Sequence, residues 1–310
     1  MEMLHVPVLL AESIASLNIK GSGTYLDCTL GAGGHSGEII KRLTDGRLIS
    51  LDKDDDAINY CKRKFEGESK ITIVKSDFKR ACEVLDSLSI DMIDGVLMDL
   101  GVSSWQIDNA QRGFSYMAEG PLDMRMDKSQ SLTAKEVVNN YSQEKLAYII
   151  KEYGDEPFAK IIAQNICRQR ELGQIKTTAE LVSLIDRSLP YAYKKRIGHG
   201  AKKTFQAIRI EVNGELEGLK DVTEKLIKRL KEGGRISVIT FHSLEDKIIK
   251  DIFRECATDC ICPKDFPICI CGHRAEVKLI NKKPVEASIE ELETNPRSNS
   301  AKLRTAEKII

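Results

Sequence analysis

Between residues 24 and 100 a short apolar run ends in an aspartate four times over, and helical spacing separates the runs. The first is Tyr25-Leu26-Asp27, followed four residues later by the glycines Gly31, Gly33 and Gly34. Helical periodicity then covers about His35 to Leu43. Arg47–Leu51 reads as a strand reaching Asp52, and Asp55–Phe65 as a helix with Ala57, Ile58, Cys61 and Phe65 on one face. Ile71–Lys75 is a strand leading to Asp77 and Phe78, Phe78–Leu88 a helix, and Gly95–Leu100 a strand carrying Asp99. Strands that alternate with helices at this spacing build parallel βαβ units. A tight glycine turn between a strand and a helix lets backbone N–H groups come close to a nucleotide-like ligand.

The rhythm stops near Ile107. From there to Phe205 no core strand is expected. A polar loop with Gly113, Gly120 and Pro121 leads into helical segments at 133–139, 143–153, 157–172 and 178–189, with Thr133/Glu136 and Thr177/Glu180 as capping boxes. The α/β pattern returns with a helix over 215–230 closed by Gly233-Gly234, a strand over 235–241, and a helix over 243–256 capped by Ser243 with Asp246. Two further strands are expected at 275–280 and 301–307. The reading is an α/β domain in two parts, 1–106 and 206–310, interrupted by an inserted helical domain over 107–205.

The acids select the ligand. Asp52, about twenty residues past the glycines, suits both hydroxyls of a ribose, and Asp77-Phe78 offers an acceptor and a stacking face to an adenine. Asp99 ends the fourth strand, where ligand and substrate meet. Asp27 precedes the glycines; it would repel a pyrophosphate but can hold the ammonium group of a methionine moiety, directly or through water. There is no G-x-x-x-x-G-K-[ST] run. The chemistry favours S-adenosylmethionine over NAD, and a nicotinamide-dependent oxidoreductase stays as the alternative.

Several segments resemble one family, the bacterial 16S ribosomal RNA cytosine-N4 methyltransferases of the RsmH (MraW) type. They include His5–Leu10, Asp27–Ser36, Asp99–Ser104, Arg112–Ser115, Gly120–Asp127, Thr204–Asn213, Gly233–Asp246, Asn295–Ser298 and Ala301–Arg304, in order from end to end. The resemblance implies a class I, Rossmann-like S-adenosylmethionine methyltransferase fold with a mostly parallel sheet and a helical insertion. It implies methylation of N4 of one cytidine in the decoding centre of 16S rRNA, position 1402 in the usual rRNA numbering. It carries cofactor contacts onto Gly33, Gly34, His35, Asp52, Phe78, Asp99 and Gln106; His35 and Gln106 rest on the resemblance alone. The [DNS]-P-P-[YFW] signature of many DNA amino-methyltransferases is replaced here by Asp99-Leu100-Gly101-Val102.

An exocyclic amine conjugated to a pyrimidine is a poor nucleophile, so an acceptor beside it helps; Asp99 is the candidate catalytic group. Trp105, Phe114 and Tyr116 follow it and offer rings on which a base can stack, or anchors for their loop. The chain carries no net charge, so affinity for RNA must be local. Residues 194–209 hold Lys194, Lys195, Arg196, Lys202, Lys203 and Arg209 and no acid, with Gly198 and Gly200 between them, and are read as the RNA contact. A non-catalytic RNA-binding assembly protein is a further alternative, although it gives no reason to keep Asp52, Asp77 and Asp99.

Nine cysteines, no basic and apolar leader, and no apolar run of membrane length point to a cytoplasmic protein with reduced thiols. Cys260, Cys262, Cys269 and Cys271, flanked by Cys256 and His273, are spaced C-x-C-x6-C-x-C. That is unlike the usual C-x2-C knuckle, and the reaction needs no metal, so reduced cysteines in a Pro263/Pro267 loop are expected, with structural zinc as the competing reading. His5 and His242 are read as near the site or as structural hydrogen-bonding residues. The partner expected is 16S rRNA, within the small ribosomal subunit, and no membrane.

Overall fold

A computed structural model describes the chain apart from residues 1–6, 198, 261, 263–265, 267, 269, 273 and 310, with the backbone alone at 196 and 197. His5, Gly198, Pro263, Pro267, Cys269 and His273 therefore lie outside the described residues, as does the side chain of Arg196. The chain divides into two compact units: residues 1–101 with 217–310, and residues 102–216.

The first unit is built on a seven-stranded sheet. Its strands are β1 (Thr24–Asp27), β2 (Arg47–Asp52), β3 (Ile71–Lys75), β4 (Ile93–Asp99), β5 (Leu230–Thr240), β6 (Val277–Leu279) and β7 (Lys302–Lys308), in the order β3-β2-β1-β4-β5-β7-β6. The β1–β2, β2–β3, β1–β4 and β4–β5 pairs are parallel; β7 runs antiparallel to β5 and β6. The fold is Rossmann-like, with the order reversing between β1 and β4.

Strand alternation explains why both faces are covered. Leu26, Ile49, Val96 and Met98 enter one apolar cluster with the helices Ala81–Ser87, Leu219–Lys228 and Ser243–Cys256, whereas Tyr25, Leu48 and Leu97 enter another with Leu10–Leu17 and Gly34–Arg42. Strands buried on two faces read as near-continuous apolar runs, which is what made them legible. Gly95 lies opposite Tyr25, and a Cβ there would fall 2.8 Å from the tyrosine ring.

Two expectations at the end of the chain need correcting. Gly233-Gly234 does not close a helix; the helix ends at Lys228 and both glycines lie inside β5. Register jumps there, from Ile93↔Leu230 to Gly95↔Arg235, so Gly233 (φ +74°) turns a bulge. The helix Ser243–Cys256 is capped by His242 with Glu245, not by Ser243 with Asp246. Asp246 is instead gripped by Arg304 of β7 through two bonds, at 2.7 and 3.0 Å.

The second unit is helical. Its core gathers Val137, Ile149, Ile162, Leu181 and Ile185 from the helices Ala134–Asn140, Gln143–Glu152, Ala159–Leu172 and Thr178–Ser188. Phe205, Ile208 and Val212 of the helix Lys202–Asn213 belong to the same core, so the unit runs on to residue 216 rather than 205. Its first boundary falls at 101/102, where the expectation was 106/107. Asn213 ties two motif blocks together: its Oδ1 accepts from Met126 N–H at 2.8 Å and its Nδ2 donates to the Met124 carbonyl at 2.8 Å.

Candidate cofactor site

Register places a notch in the carboxyl edge of the sheet. Asp27, the last residue of β1, pairs with Ser50 on one side and Leu97 on the other. Both neighbours continue two residues further, to Asp52 and Asp99, a step of about 6–7 Å. The two acids thus flank a short central strand, and the glycine turn leaves through the gap between them. This is the position where open α/β sheets bind their ligands.

The turn is held from every side. Leu30 N–H donates to the Leu51 carbonyl at 2.8 Å, Lys64 Nζ donates to the carbonyls of Ala32 (2.8 Å) and Gly33 (3.2 Å), and Gly31 N–H donates to Asp52 Oδ2 at 2.8 Å. Gly33 has φ +68°, and a Cβ on it would lie 2.7 Å from the Phe65 ring and 2.9 Å from Cys61 Sγ. A Cβ on Gly34 would meet Pro7 at 2.1 Å. The helix Gly34–Arg42 that follows has no capping side chain and no acid in its first turn. Its leading N–H groups therefore suit an anionic group such as a carboxylate.

Asp52 is half-buried. Its Oδ1 accepts from Asp54 N–H at 2.9 Å while Oδ2 holds Gly31, so the carboxylate plane is fixed and each oxygen keeps a second lone pair. Burial pushes its pKa up to about 6 against the pull of these two N–H groups, with Asp54 and Asp27 adding to the rise. Asp99 is anchored through its N–H, which donates to Thr29 Oγ1 at 2.7 Å. Its Oδ2 is 3.7 Å from His35 Nδ1, and its Oδ1 is a buried acceptor with no hydrogen-bond partner among the described residues. Burial, then Asp27 and Glu245, hold its carboxyl well above the usual carboxylate range. An orphaned acceptor of this kind fits a cationic or donor group of a ligand. His35 is buried, with Nε2 3.1 Å from the Val8 carbonyl.

Phe78 is half-buried beside Asp77, which follows the end of β3, and Ser76 N–H donates to the Asp52 carbonyl at 2.8 Å. Asp77 is already engaged: it caps the turn Phe78–Arg80 through Lys79 N–H (3.0 Å) and pairs with Lys53 at 3.2 Å. Asp27 departs from its expected role. It is 1% exposed, with Oδ2 accepting from Ser36 Oγ at 2.6 Å and Oδ1 from Thr29 N–H at 3.0 Å. It shapes the site through the backbone it fixes rather than by facing an ammonium group. Thr29, Ser36 and Ser50 complete this support, and short polar side chains beside a glycine turn carry no distinctive sequence signal.

Residues of the helical unit divide differently. Gln106 is buried and serves a capping box, its Oε1 accepting from Ser103 N–H at 3.0 Å. The guanidinium of buried Arg112 lies 5.6 Å from the Trp105 ring and 5.9 Å from Phe114, and Tyr116 packs against His199 and Phe205, so these rings anchor their loop. Of the basic stretch, Lys195 and Lys202 are exposed. Lys194 Nζ donates to the Asp186 carbonyl (2.9 Å) and Lys203 Nζ to the Asp155 carbonyl (2.6 Å). Arg209 needs correcting as an RNA contact: it forks onto buried Glu215 with two bonds of 2.8 Å. Counting charge up to residue 209 missed an acid that the left-handed Gly214 (φ +56°) folds back onto the helix. His242 is a cap, its Nδ1 accepting from Glu245 N–H at 3.5 Å. Among the described residues no helix is long and apolar enough to cross a membrane.

Comparison with known proteins supplies a family. The family described as the MraW methylase family matches residues 2–309. A Finegoldia magna protein named ribosomal RNA small subunit methyltransferase H is 52% identical over the full length of both chains. Proteins of the same name from Clostridium botulinum (50% identical, full length of both) and Caldicellulosiruptor saccharolyticus (53%, over 98% of this chain and 99% of that one) are similarly close. Matched along its whole length by the family and by relatives at 50–53% identity, the chain belongs to the MraW methylase family and is an S-adenosylmethionine-dependent methyltransferase.

Proposed function

We propose that this enzyme methylates the exocyclic N4 amine of a cytidine in the decoding centre of 16S rRNA, position 1402, acting on RNA within the small ribosomal subunit. The full-length likeness to proteins named ribosomal RNA small subunit methyltransferase H carries the reading, at 50–53% identity. Such a role places the enzyme in the cytoplasm. The donor, when bound, supplies a methyl carbon already activated by a positive sulfur.

The residues of the sheet unit proposed to hold it are Gly33, Gly34, His35, Asp52, Phe78 and Asp99; Gln106 is proposed on the family resemblance alone. Asp52 presents a fixed carboxylate to a ribose diol. The glycine turn brings backbone N–H groups close, and Phe78 offers a ring to the adenine. Asp99 keeps an acceptor oxygen without a partner among the described residues at the end of β4, where an acceptor draws density onto an amine nitrogen. Alignment of two bound reactants is worth about 7–11 kcal/mol, so positioning is the main task and a strong base is not required. Exposed Lys195 and Lys202 suit phosphates. The acids at the rim and the family match favour this over a nicotinamide enzyme.

The test is methyl incorporation from labelled donor into assembled small subunits and into free 16S RNA, with the modified base mapped. Label on N4 of one decoding-centre cytidine is expected, with assembled subunits the better acceptor. Label on another base or another RNA would replace the reading.

A further inference from the structure

The loop between the helix Ser243–Cys256 and β6 has a closed base. Glu276 N–H donates to the Cys256 carbonyl at 2.8 Å, and Ala275 N–H to Asp259 Oδ1 at 3.3 Å. Beyond that base, among the described residues, the loop turns large apolar side chains outward: Phe266 is 46% exposed, Ile268 74% and Ile270 75%. Side chains exposed in this way add little packing, and small units with little packing rely on a covalent or metal staple.

Cysteines supply one. The Sγ atoms of Cys260, Cys262 and Cys271 all lie within 4.8 Å of one another, and Cys260 and Cys271 approach to 3.8 Å. Thiolates bound tetrahedrally at about 2.3 Å from zinc stand about 3.8 Å apart, whereas a disulfide requires about 2.0 Å. Ile270 N–H donates to Cys262 Sγ at 3.4 Å, a contact that favours the thiolate. Gly272, at φ +61°, turns the chain directly after Cys271. The C-x-C spacing weighs against a standard knuckle, yet here the ligands converge from the two arms of the loop, so spacing within one arm does not decide the geometry. By sequence Cys269 pairs with Cys271 as Cys260 does with Cys262; it lies outside the described residues and enters only through the experiment.

We propose that Cys260, Cys262 and Cys271 form a thiolate site for one zinc ion per chain, a structural staple for this loop that takes no part in methyl transfer. Each thiol gives its proton to solvent as its sulfur bonds to the metal, and no redox change is involved.

The full-length protein, purified under reducing conditions without chelator, is analysed by elemental mass spectrometry. One zinc per chain is expected, with loss of most of it in Cys260→Ser and Cys271→Ser and none in Cys167→Ser, which changes a cysteine of the helical unit. Should those variants fail to fold, chelated wild-type protein titrated with Co²⁺ alone decides: thiolate-to-cobalt charge transfer with intense tetrahedral d–d bands supports the site. Cys269→Ser in the same titration reports whether Cys269 is the fourth ligand, since only then do its bands change. Wild-type protein without zinc and without cobalt–thiolate bands would overturn the proposal. So would iron with acid-labile sulfide, or a native Cys260–Cys271 disulfide in mass spectrometry.

Discussion

Asp99 Oδ2 stands 3.7 Å from His35 Nδ1, while the other nitrogen of that ring, Nε2, meets the Val8 carbonyl at 3.1 Å. A carbonyl only accepts, so Nε2 carries a proton and a neutral His35 turns a lone pair toward Asp99. Burial, reinforced by Asp27 and Glu245, holds the Asp99 carboxyl well above its ordinary range. The acid therefore stays protonated to higher pH than an exposed aspartate and ionises most readily when a positive group arrives.

From this, kcat/KM for methyl transfer is expected to rise with pH beyond the ordinary carboxylate range, because only ionised Asp99 accepts fully. Asp99→Asn should flatten that limb and weaken donor binding at least about tenfold, or about 1.4 kcal/mol. Rate profiles with calorimetry on both proteins check this, and a wild-type profile with no ascending limb counts against Asp99.

Asp52 makes a second pH prediction with a definite sign. Its pKa is raised to about 6 in the folded chain. Its contribution to the stability of the donor-free protein is therefore present in full below the unfolded value, about 4, and lost as pH rises through about 6. Donor binding runs the other way, since a ribose diol needs the ionised acceptor. The rise in Tm produced by S-adenosylmethionine should grow from pH 5 to pH 7, and a pH-independent rise would refute the role of Asp52.

Gly33→Ala and Gly67→Ala separate strain from site. Both glycines are left-handed, at φ +68° and +80°, but a Cβ on Gly67 meets nothing within 4 Å whereas one on Gly33 strikes Phe65 and Cys61. Gly67→Ala should cost the backbone term alone, about 1–2 kcal/mol, and leave donor affinity intact. Gly33→Ala should cost more in denaturant melts and lose donor affinity as the turn shifts.

The basic stretch should separate by partner. Arg209→Ala strands Glu215, a buried carboxylate, and is expected to destabilise the protein by about 3–5 kcal/mol. Charge reversal of exposed Lys195 and Lys202 should change stability by no more than about 0.5 kcal/mol, weaken RNA binding and reduce its salt dependence, with donor affinity unchanged. Melts and filter binding at several salt concentrations read both, and equal loss of RNA and donor binding would defeat the division of labour.

The parallel half of the sheet was legible because strands buried on two faces must be apolar almost throughout, and because an acid at the end of such a run interrupts it visibly. That is why Asp52 and Asp99 emerged at the ends of β2 and β4, and Gly33 from the turn it had to make; β3, which leads to Phe78, is an edge strand with no fully buried residue and was read from its β-branched run alone. Ser36, Thr29 and Ser50 escaped notice because a serine or threonine says nothing until the chain brings it within 3 Å of its partner: Ser36 on Asp27, Thr29 on Asp99 N–H, and Ser50 on Ser36. Gly233 was misread for a similar reason: a glycine marks a break in regular structure without saying whether the break ends a helix or bulges a strand.

What the sequence determined alone was local: where backbone had to be buried, where only glycine could turn, and which run of blocks the family shares. Tertiary structure decided which charges are available. It folded Glu215 back onto Arg209, buried Asp27 against Ser36, and left Asp99 Oδ1 without a partner among the described residues. Whether a charged group is consumed or presented depends on how the chain folds back on itself, over six residues at Glu215 and nine at Asp27, and periodicity carries no record of that.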